Sequence, residues 1–105
     1  MNGEPADVTG TWIHAYEEDT PTEAVYRPSG HPFRPARKVR SGLEFRPDGT
    51  FVERRPGPDD RLYELHGRWE RRGADRVGVS YPEGRGAPFE ITVLSRTDDT
   101  LTIAK

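Results

Sequence analysis

The stretch Leu43-Glu44-Phe45-Arg46-Pro47-Asp48-Gly49-Thr50-Phe51 carries the clearest information on the fold of this 105-residue chain. Apolar and charged residues alternate before the turn, which is the period of a β-strand with one buried face. Pro47 presets the first turn position, and Gly49 accepts the left-handed conformation that closes a three-residue loop. The stretch therefore predicts a hairpin in which Phe45 lies opposite Phe51.

The same period of two recurs along the chain, and no segment has the apolar spacing of an amphipathic helix. We predict an all-β fold as a single domain spanning 1–105, with 1–9 as a flexible N-terminus. The predicted strands are Thr11–Tyr16, Val39–Arg46, Thr50–Arg55, Leu62–Arg71, Arg76–Tyr81, Phe89–Ser95 and a last one around Leu101 and Ile103, with Glu23–Arg27 as a possible eighth.

The connections between these strands alternate in length. The tight ones are 47–49, 73–75 and 97–99, and the long ones, rich in Pro and Gly, are 17–38, 56–61 and 82–87. In an up-and-down order, tight and long connections fall at opposite ends of the sheet. We therefore predict one antiparallel up-and-down barrel of seven to eight strands, closed by hairpins at one end and with a long first loop at its mouth.

Composition narrows the function classes. The net charge is −2 and cysteine is absent, so disulfides, thiolate chemistry and cysteine-ligated metals are excluded. Near-neutral charge predicts no general attraction to nucleic acid or to an anionic membrane. No apolar run reaches the roughly 18 residues that cross a bilayer, and no apolar leader follows Met1. We expect a cytoplasmic protein that binds neither nucleic acid nor membrane.

The alternation of tight and long connections also predicts a cup-shaped pocket for a small molecule at the mouth of the barrel. Inward aromatic residues near the tight turns would form an apolar floor, and those beside the long loops would form a wall at the mouth, as is typical of ligand pockets. The predicted ligand-binding residues are Trp12, His14, Tyr16, Phe45, Phe51, Glu53, Tyr63, Trp69, Tyr81 and Phe89.

Two inward polar residues, His14 and Glu53, are the only candidates for catalysis. As a buried pair they could be tuned toward acid–base work, or they could be satisfied structural polar groups. No set of nucleophile, base and orienting residue accompanies them. We therefore assign no catalytic residue, and an enzyme is not favoured.

Two further groups of residues leave alternatives open. The acidic run at 17–19, with Glu23, could coordinate a hard cation or form a salt-bridged loop. The three histidines lack zinc-ligand spacing, so we predict no metal and no cofactor. Segment Arg27–Arg40 holds five basic residues and three prolines. It could recruit an anion or serve as a polyproline-like ligand for a partner. Alternatively, it could fold over the barrel and pair with the acidic run.

Gly10-Thr11-Trp12, followed by the long 17–38 loop, resembles the opening of the lipocalin-like, calycin-type barrels, in which a Gly-X-Trp motif begins the first strand. The chain departs from the central lipocalins in length, in lacking their C-terminal helix, and in having Thr97-Asp98-Asp99 where they have Thr-Asp followed by an aromatic residue. His14–Thr20 and Leu43–Phe51 also look like a group of small uncharacterised bacterial proteins.

The resemblance implies a lipocalin-like module that binds a small, partly apolar ligand in the barrel mouth. A first alternative is a filled barrel that acts in protein interaction through the Pro/Arg-rich loop or an open sheet edge, where a homodimer could form. A second alternative is a small isomerase or cyclase that uses His14 and Glu53.

Overall fold

The computed structural model describes residues 7–35, 39–59, 61–82 and 86–105. The elements are all strands apart from one turn of 3-10 helix. They are β1 (Gly10–His14), the 3-10 helix (Tyr16–Glu18), β2 (Glu23–Pro28), β3 (Gly42–Phe45), β4 (Thr50–Pro56), β5 (Leu62–Arg71), β6 (Arg76–Ser80), β7 (Phe89–Thr97) and β8 (Thr100–Ala104).

The eight strands close into a single antiparallel barrel in the order β1-β2-β8-β7-β6-β5-β4-β3. This confirms the predicted all-β fold class and the possible eighth strand. Strands β3 to β8 follow one another as an up-and-down meander, while β2 lies between β1 and β8. Seven up-and-down strands would bring the first and last together in parallel, because their number is odd. The inserted β2 runs opposite to both, so every pairing is antiparallel.

The predicted hairpin is confirmed. Phe45 pairs with Phe51, and their ring centroids lie 5.2 Å apart. Gly49 has a φ of +90°, which is the left-handed conformation that the turn requires. The indole N–H of Trp69 donates to the Arg46 carbonyl at 2.8 Å, which fastens the hairpin to β5.

We call the end of the barrel that carries the hairpin at Gly49 the closed end. Trp12 of β1 packs on the other side of this end. Its side chain is buried, and its indole N–H donates to the Val8 carbonyl at 2.9 Å. The Arg96 guanidinium lies 4.8 Å above the indole ring. Val8 itself is fully buried, so this part of the segment predicted to be flexible packs in the core; positions 1–6 lie outside the described residues.

Two strand boundaries correct the sequence prediction. The first strand ends at His14 rather than Tyr16, because the chain turns into the 3-10 helix, where the Glu18 amide bonds to the Ala15 carbonyl. The second strand begins at Gly42 rather than Val39, which is exposed. Alternation alone does not show where pairing stops.

The long first loop therefore contains a strand and a crossover. Residues 29–41, here named the crossover segment, join β2 to β3 past β1. Backbone hydrogen bonds tie both of its ends to β1, from the Ser29 amide to Thr11 and from the His14 amide to Ser41. None of the described segments is a helix of the length and apolarity that would cross a membrane.

Candidate functional site at the barrel mouth

Aromatic side chains fill the closed end of the barrel. Trp12, Phe45 and Phe51 are at most 2% exposed, and the Phe45 ring packs edge-on against Trp69 at 5.7 Å. These four residues were predicted as the floor of a ligand cup. Trp12, Phe45 and Phe51 belong to one buried cluster, against which Trp69 packs, so they form the core, and the first three offer no surface to a ligand.

Tyr81 lies across the barrel interior above this core. Its ring packs against Phe51 at 6.4 Å and Phe89 at 6.2 Å, and its hydroxyl donates to Glu53 Oε1 at 2.6 Å. Strand β5 lies between Tyr81 and Glu53, and its Gly67 pairs with Phe51 of β4. A Cβ on Gly67 would collide with the Ser80 carbonyl oxygen and lie 2.9 Å from the Tyr81 ring. The glycine therefore makes room for Tyr81 to reach across β5.

Four half-buried polar residues, together with the buried Tyr81, form the polar layer at the mouth. We call His14, Asp19, Tyr26, Glu53 and Tyr81 the mouth cluster. His14 Nε2 lies 2.9 Å from Asp19 Oδ2, and its ring stacks on Tyr26 with centroids 4.8 Å apart. The stack follows from register, since His14 and Tyr26 are direct partners across β1 and β2.

The phenol of Tyr26 belongs to the mouth cluster and lies near two carboxylates of that cluster. Burial, together with the negative charges of Asp19 and Glu53, raises the pKa of Tyr26 to about 12. Its hydroxyl makes no hydrogen bond with any residue that the structure describes. Burial and the bond to Glu53 likewise raise the pKa of Tyr81. Both phenols are therefore neutral near pH 7, and the hydroxyl of Tyr26 is available as a donor or an acceptor.

His14 and Glu53 do not pair with each other, and each is held by other polar partners, as in the structural alternative given for them above. His14 pairs with Asp19, which also accepts from the Val25 amide at 2.9 Å. Glu53 instead accepts from Tyr81 and from Arg55, whose Nε lies 2.8 Å from Oε2. Each member already has a different polar partner, so the acid–base pair is not formed.

Apolar side chains gather around the same end. Of the six large hydrophobic side chains exposed in the described part of the chain, only Leu94 lies away from the mouth. Phe89 lies where β7 begins, and Tyr63 at the start of β5 packs over Gly57. The five that border the mouth, here named the rim, are Tyr16, Val39, Leu62, Tyr63 and Phe89.

Tyr16 does not extend the barrel wall as predicted. It belongs to the 3-10 helix, where its ring packs against the Arg40 guanidinium at 4.8 Å. Arg40 lies between the rings of Tyr16 and Phe33, and it forms a two-pronged ion pair with Glu17 at 2.7 and 2.5 Å. This contact holds the crossover segment against the 3-10 helix.

The acidic run is salt-bridged. Glu18 pairs with Arg27 at 2.6 Å, and the hydrogen bonds from Arg40 lower the pKa of Glu17 to about 2. Among the described residues, no three His, Asp or Glu side chains are grouped so as to hold a metal ion. Beside these pairs lies an open groove of about 370 Å³, lined by Ala15, Glu17, Glu18, His31, Pro32, Phe33 and Arg34.

Sequence reasoning missed Tyr26, Asp19 and Arg55 as parts of the site. Tyr26 belongs to Glu23–Arg27, which was predicted only as a possible eighth strand, and nothing in that segment predicts its place between β1 and β8. Asp19 stands in the acidic run, and only the turn after β1 brings it back to His14. No local pattern marks either contact.

Comparisons of the chain with protein-family models, curated proteins and solved structures find no match. The homodimer was predicted from an open sheet edge. Each of the eight described strands has a neighbour on both sides, so the barrel is closed and has no edge strand, while oligomeric state itself stays a prediction.

Proposed function

We propose that the protein is a binding module for a small, partly apolar molecule that sits over the mouth cluster. The observation that carries the proposal is the coincidence of two features at one end of the barrel. The rim contributes five of the six large hydrophobic side chains exposed among the described residues, and the mouth cluster contributes the hydroxyl of half-buried Tyr26, which bonds to none of those residues. Apolar walls around a few polar groups are typical of ligand sites.

The filled core limits how deep the ligand sits. Tyr81 closes off the interior, so the ligand contacts the mouth layer alone. Phe89 and the ring of Tyr81 supply apolar contact, and Tyr26 supplies a hydrogen bond that fixes orientation. The carboxylate of Glu53 accepts from a ligand donor when Arg55, which is 58% exposed, swings into solvent.

The contacts at the mouth also bear on the alternative functions considered from the sequence. The isomerase or cyclase alternative uses His14 and Glu53; Asp19 engages the first and Tyr81 the second, so no observation favours it over binding. Protein interaction through the Pro/Arg-rich loop, the cytoplasmic location and the likeness to calycin barrels stay predictions.

A neutral fluorescent probe tests the proposal. N-phenyl-1-naphthylamine becomes brighter when it leaves water, and we expect a saturable increase with the native protein. Phe89→Ala removes a rim side chain, and Leu94→Ala removes an exposed side chain of the same strand that lies away from the mouth. Phe89→Ala should weaken binding at least about fivefold, as expected for losing about 1 kcal/mol of apolar contact, and Leu94→Ala should leave it unchanged.

Tyr26→Phe tests the polar half of the site. A probe that carries a hydroxyl, such as 2-naphthol, should lose affinity in this variant, whereas a pure hydrocarbon such as naphthalene should not. Absence of any probe signal, or equal losses in Phe89→Ala and Leu94→Ala, would refute binding at the mouth.

A further inference from the structure

The groove beside the 3-10 helix lies outside the mouth cluster. Its walls come from two segments, the 3-10 helix with the preceding Ala15 and the first part of the crossover segment. At about 370 Å³ it falls within the size range of small-molecule sites. Its shape is fixed by Arg40, which joins the two walls through Glu17, the rings of Tyr16 and Phe33, and the Arg34 carbonyl.

The acidic wall of the groove is already neutralised. Both oxygens of Glu17 accept from Arg40, and both oxygens of Glu18 accept from Arg27 at 2.6 and 2.8 Å. The pKa of Glu18 is lowered mainly by Arg27, with a smaller contribution from the nearby His31. These carboxylates are therefore poor partners for a cationic ligand, which would have to displace a two-pronged arginine.

The opposite wall carries donors without partners. Neither the Arg34 guanidinium nor the His31 ring makes a hydrogen bond or ion pair with any described residue. The side chain between them is apolar: the Phe33 ring lies edge-on to His31, with centroids 4.8 Å apart, and Pro32 adjoins it. One wall therefore combines a permanent positive charge, a second nitrogen donor and an aromatic surface.

We propose that this groove is a second ligand site that takes a small aromatic carboxylate. The carboxylate pairs with Arg34 and accepts from His31, and the aromatic part lies against Phe33 and Pro32. This site is independent of the mouth, because none of its lining residues belongs to the mouth cluster or the rim.

The test is a titration of the 105-residue chain, labelled with ¹⁵N, with three probes that differ in one group. The probes are 2-naphthoate, the neutral 2-naphthamide and the cationic 2-naphthylmethylammonium. We expect saturable amide shifts at His31, Phe33 and Arg34 with 2-naphthoate, and an affinity about three- to fivefold higher than for the amide, as for an exposed ion pair.

Arg34→Gln should reduce the affinity for 2-naphthoate to that for the amide. The Arg34 carbonyl that holds Arg40 is kept in this variant, so the groove should keep its shape. Arg61→Gln, which changes an arginine that is 85% exposed elsewhere, is the matched control and should have no effect. Phe33→Ala should weaken all three probes.

Four results would overturn the proposal. One is the absence of saturable shifts at the groove, and another is binding of the amide or the ammonium probe as tight as that of 2-naphthoate. The third is an equal loss in Arg34→Gln and Arg61→Gln. Shifts at the amides of Tyr26 and Phe89 alone would place the carboxylate at the mouth, which also refutes a separate site.

Discussion

Gly67→Ala tests the placement of Tyr81, on which the division of the barrel into core and mouth depends. The added methyl group would collide with the Ser80 carbonyl oxygen on the neighbouring strand and lie 2.9 Å from Tyr81 Cδ1. The tyrosine ring could tilt, but a backbone oxygen held in the sheet cannot move without disturbing the pairing of β5 with β6. The substitution therefore strains the barrel itself.

Overpacking of this kind costs about 1–3 kcal/mol. For a domain of about 100 residues, 2 kcal/mol lowers the midpoint of thermal unfolding by about 10 °C. Thermal and urea unfolding followed by circular dichroism measure both quantities. Displacement of Tyr81 should also weaken the binding of the neutral probe, because its ring and its bond to Glu53 define the base of the mouth.

Gly30→Ala is the matched control. A methyl group added at Gly30 would meet no atom within 4 Å, and the residue has no positive φ, so the change should alter the free energy of unfolding by less than about 0.5 kcal/mol. Equal stability of Gly67→Ala and Gly30→Ala would refute the close passage of Tyr81 over β5.

Three further predictions concern single contacts. Trp69→Phe removes the hydrogen bond to the Arg46 carbonyl and should lower the free energy of unfolding by about 1 kcal/mol in urea titration; no change would mean that this bond does not fasten the hairpin. Between pH 10 and 12 the folded protein keeps the proton of Tyr26, whereas the unfolded chain releases it, so the free energy of unfolding should fall as pH rises. The fall should be less steep in Tyr26→Phe, and identical slopes of unfolding free energy against pH would contradict the raised pKa. Glu17 has a pKa lowered to about 2 by the hydrogen bonds from Arg40, so its contribution is present above pH 4.5 and lost as pH falls toward 2. The ¹⁵N amide shift of Arg40 should titrate over that range in the native protein and stay flat in Glu17→Gln; the same titration in both would contradict the lowered pKa.

Much of the barrel follows from local pattern. Leu62–Arg71 is recovered with both its boundaries, and the hairpin at Gly49 with its pairing, because alternation and turn chemistry are properties of neighbouring residues. The place of β2 is not local. Without β2, the other seven strands would bring β1 and β8 together in parallel, and β2 lies between them. No short stretch of sequence indicates this arrangement.

The candidate site was predicted less completely for the same reason. Inward positions such as Glu53 and Tyr81 follow from parity along their strands. That Phe51 is sealed beneath Tyr81 depends on Gly67 in a third strand, so the depth of the mouth could not be deduced. Asp19 reaches His14 only through the turn that follows β1.

The central claim is that ligands bind at the mouth and not inside the barrel or at its closed end. A ¹⁵N amide shift map of the native protein, titrated with the neutral N-phenyl-1-naphthylamine, tests it most directly. The predicted result is saturable shifts centred on His14, Tyr26, Glu53 and Phe89, with the amides of Gly49 and Arg96 at the closed end unmoved. Shifts centred on Gly49 and Arg96, or no shifts at saturating probe, would contradict the claim.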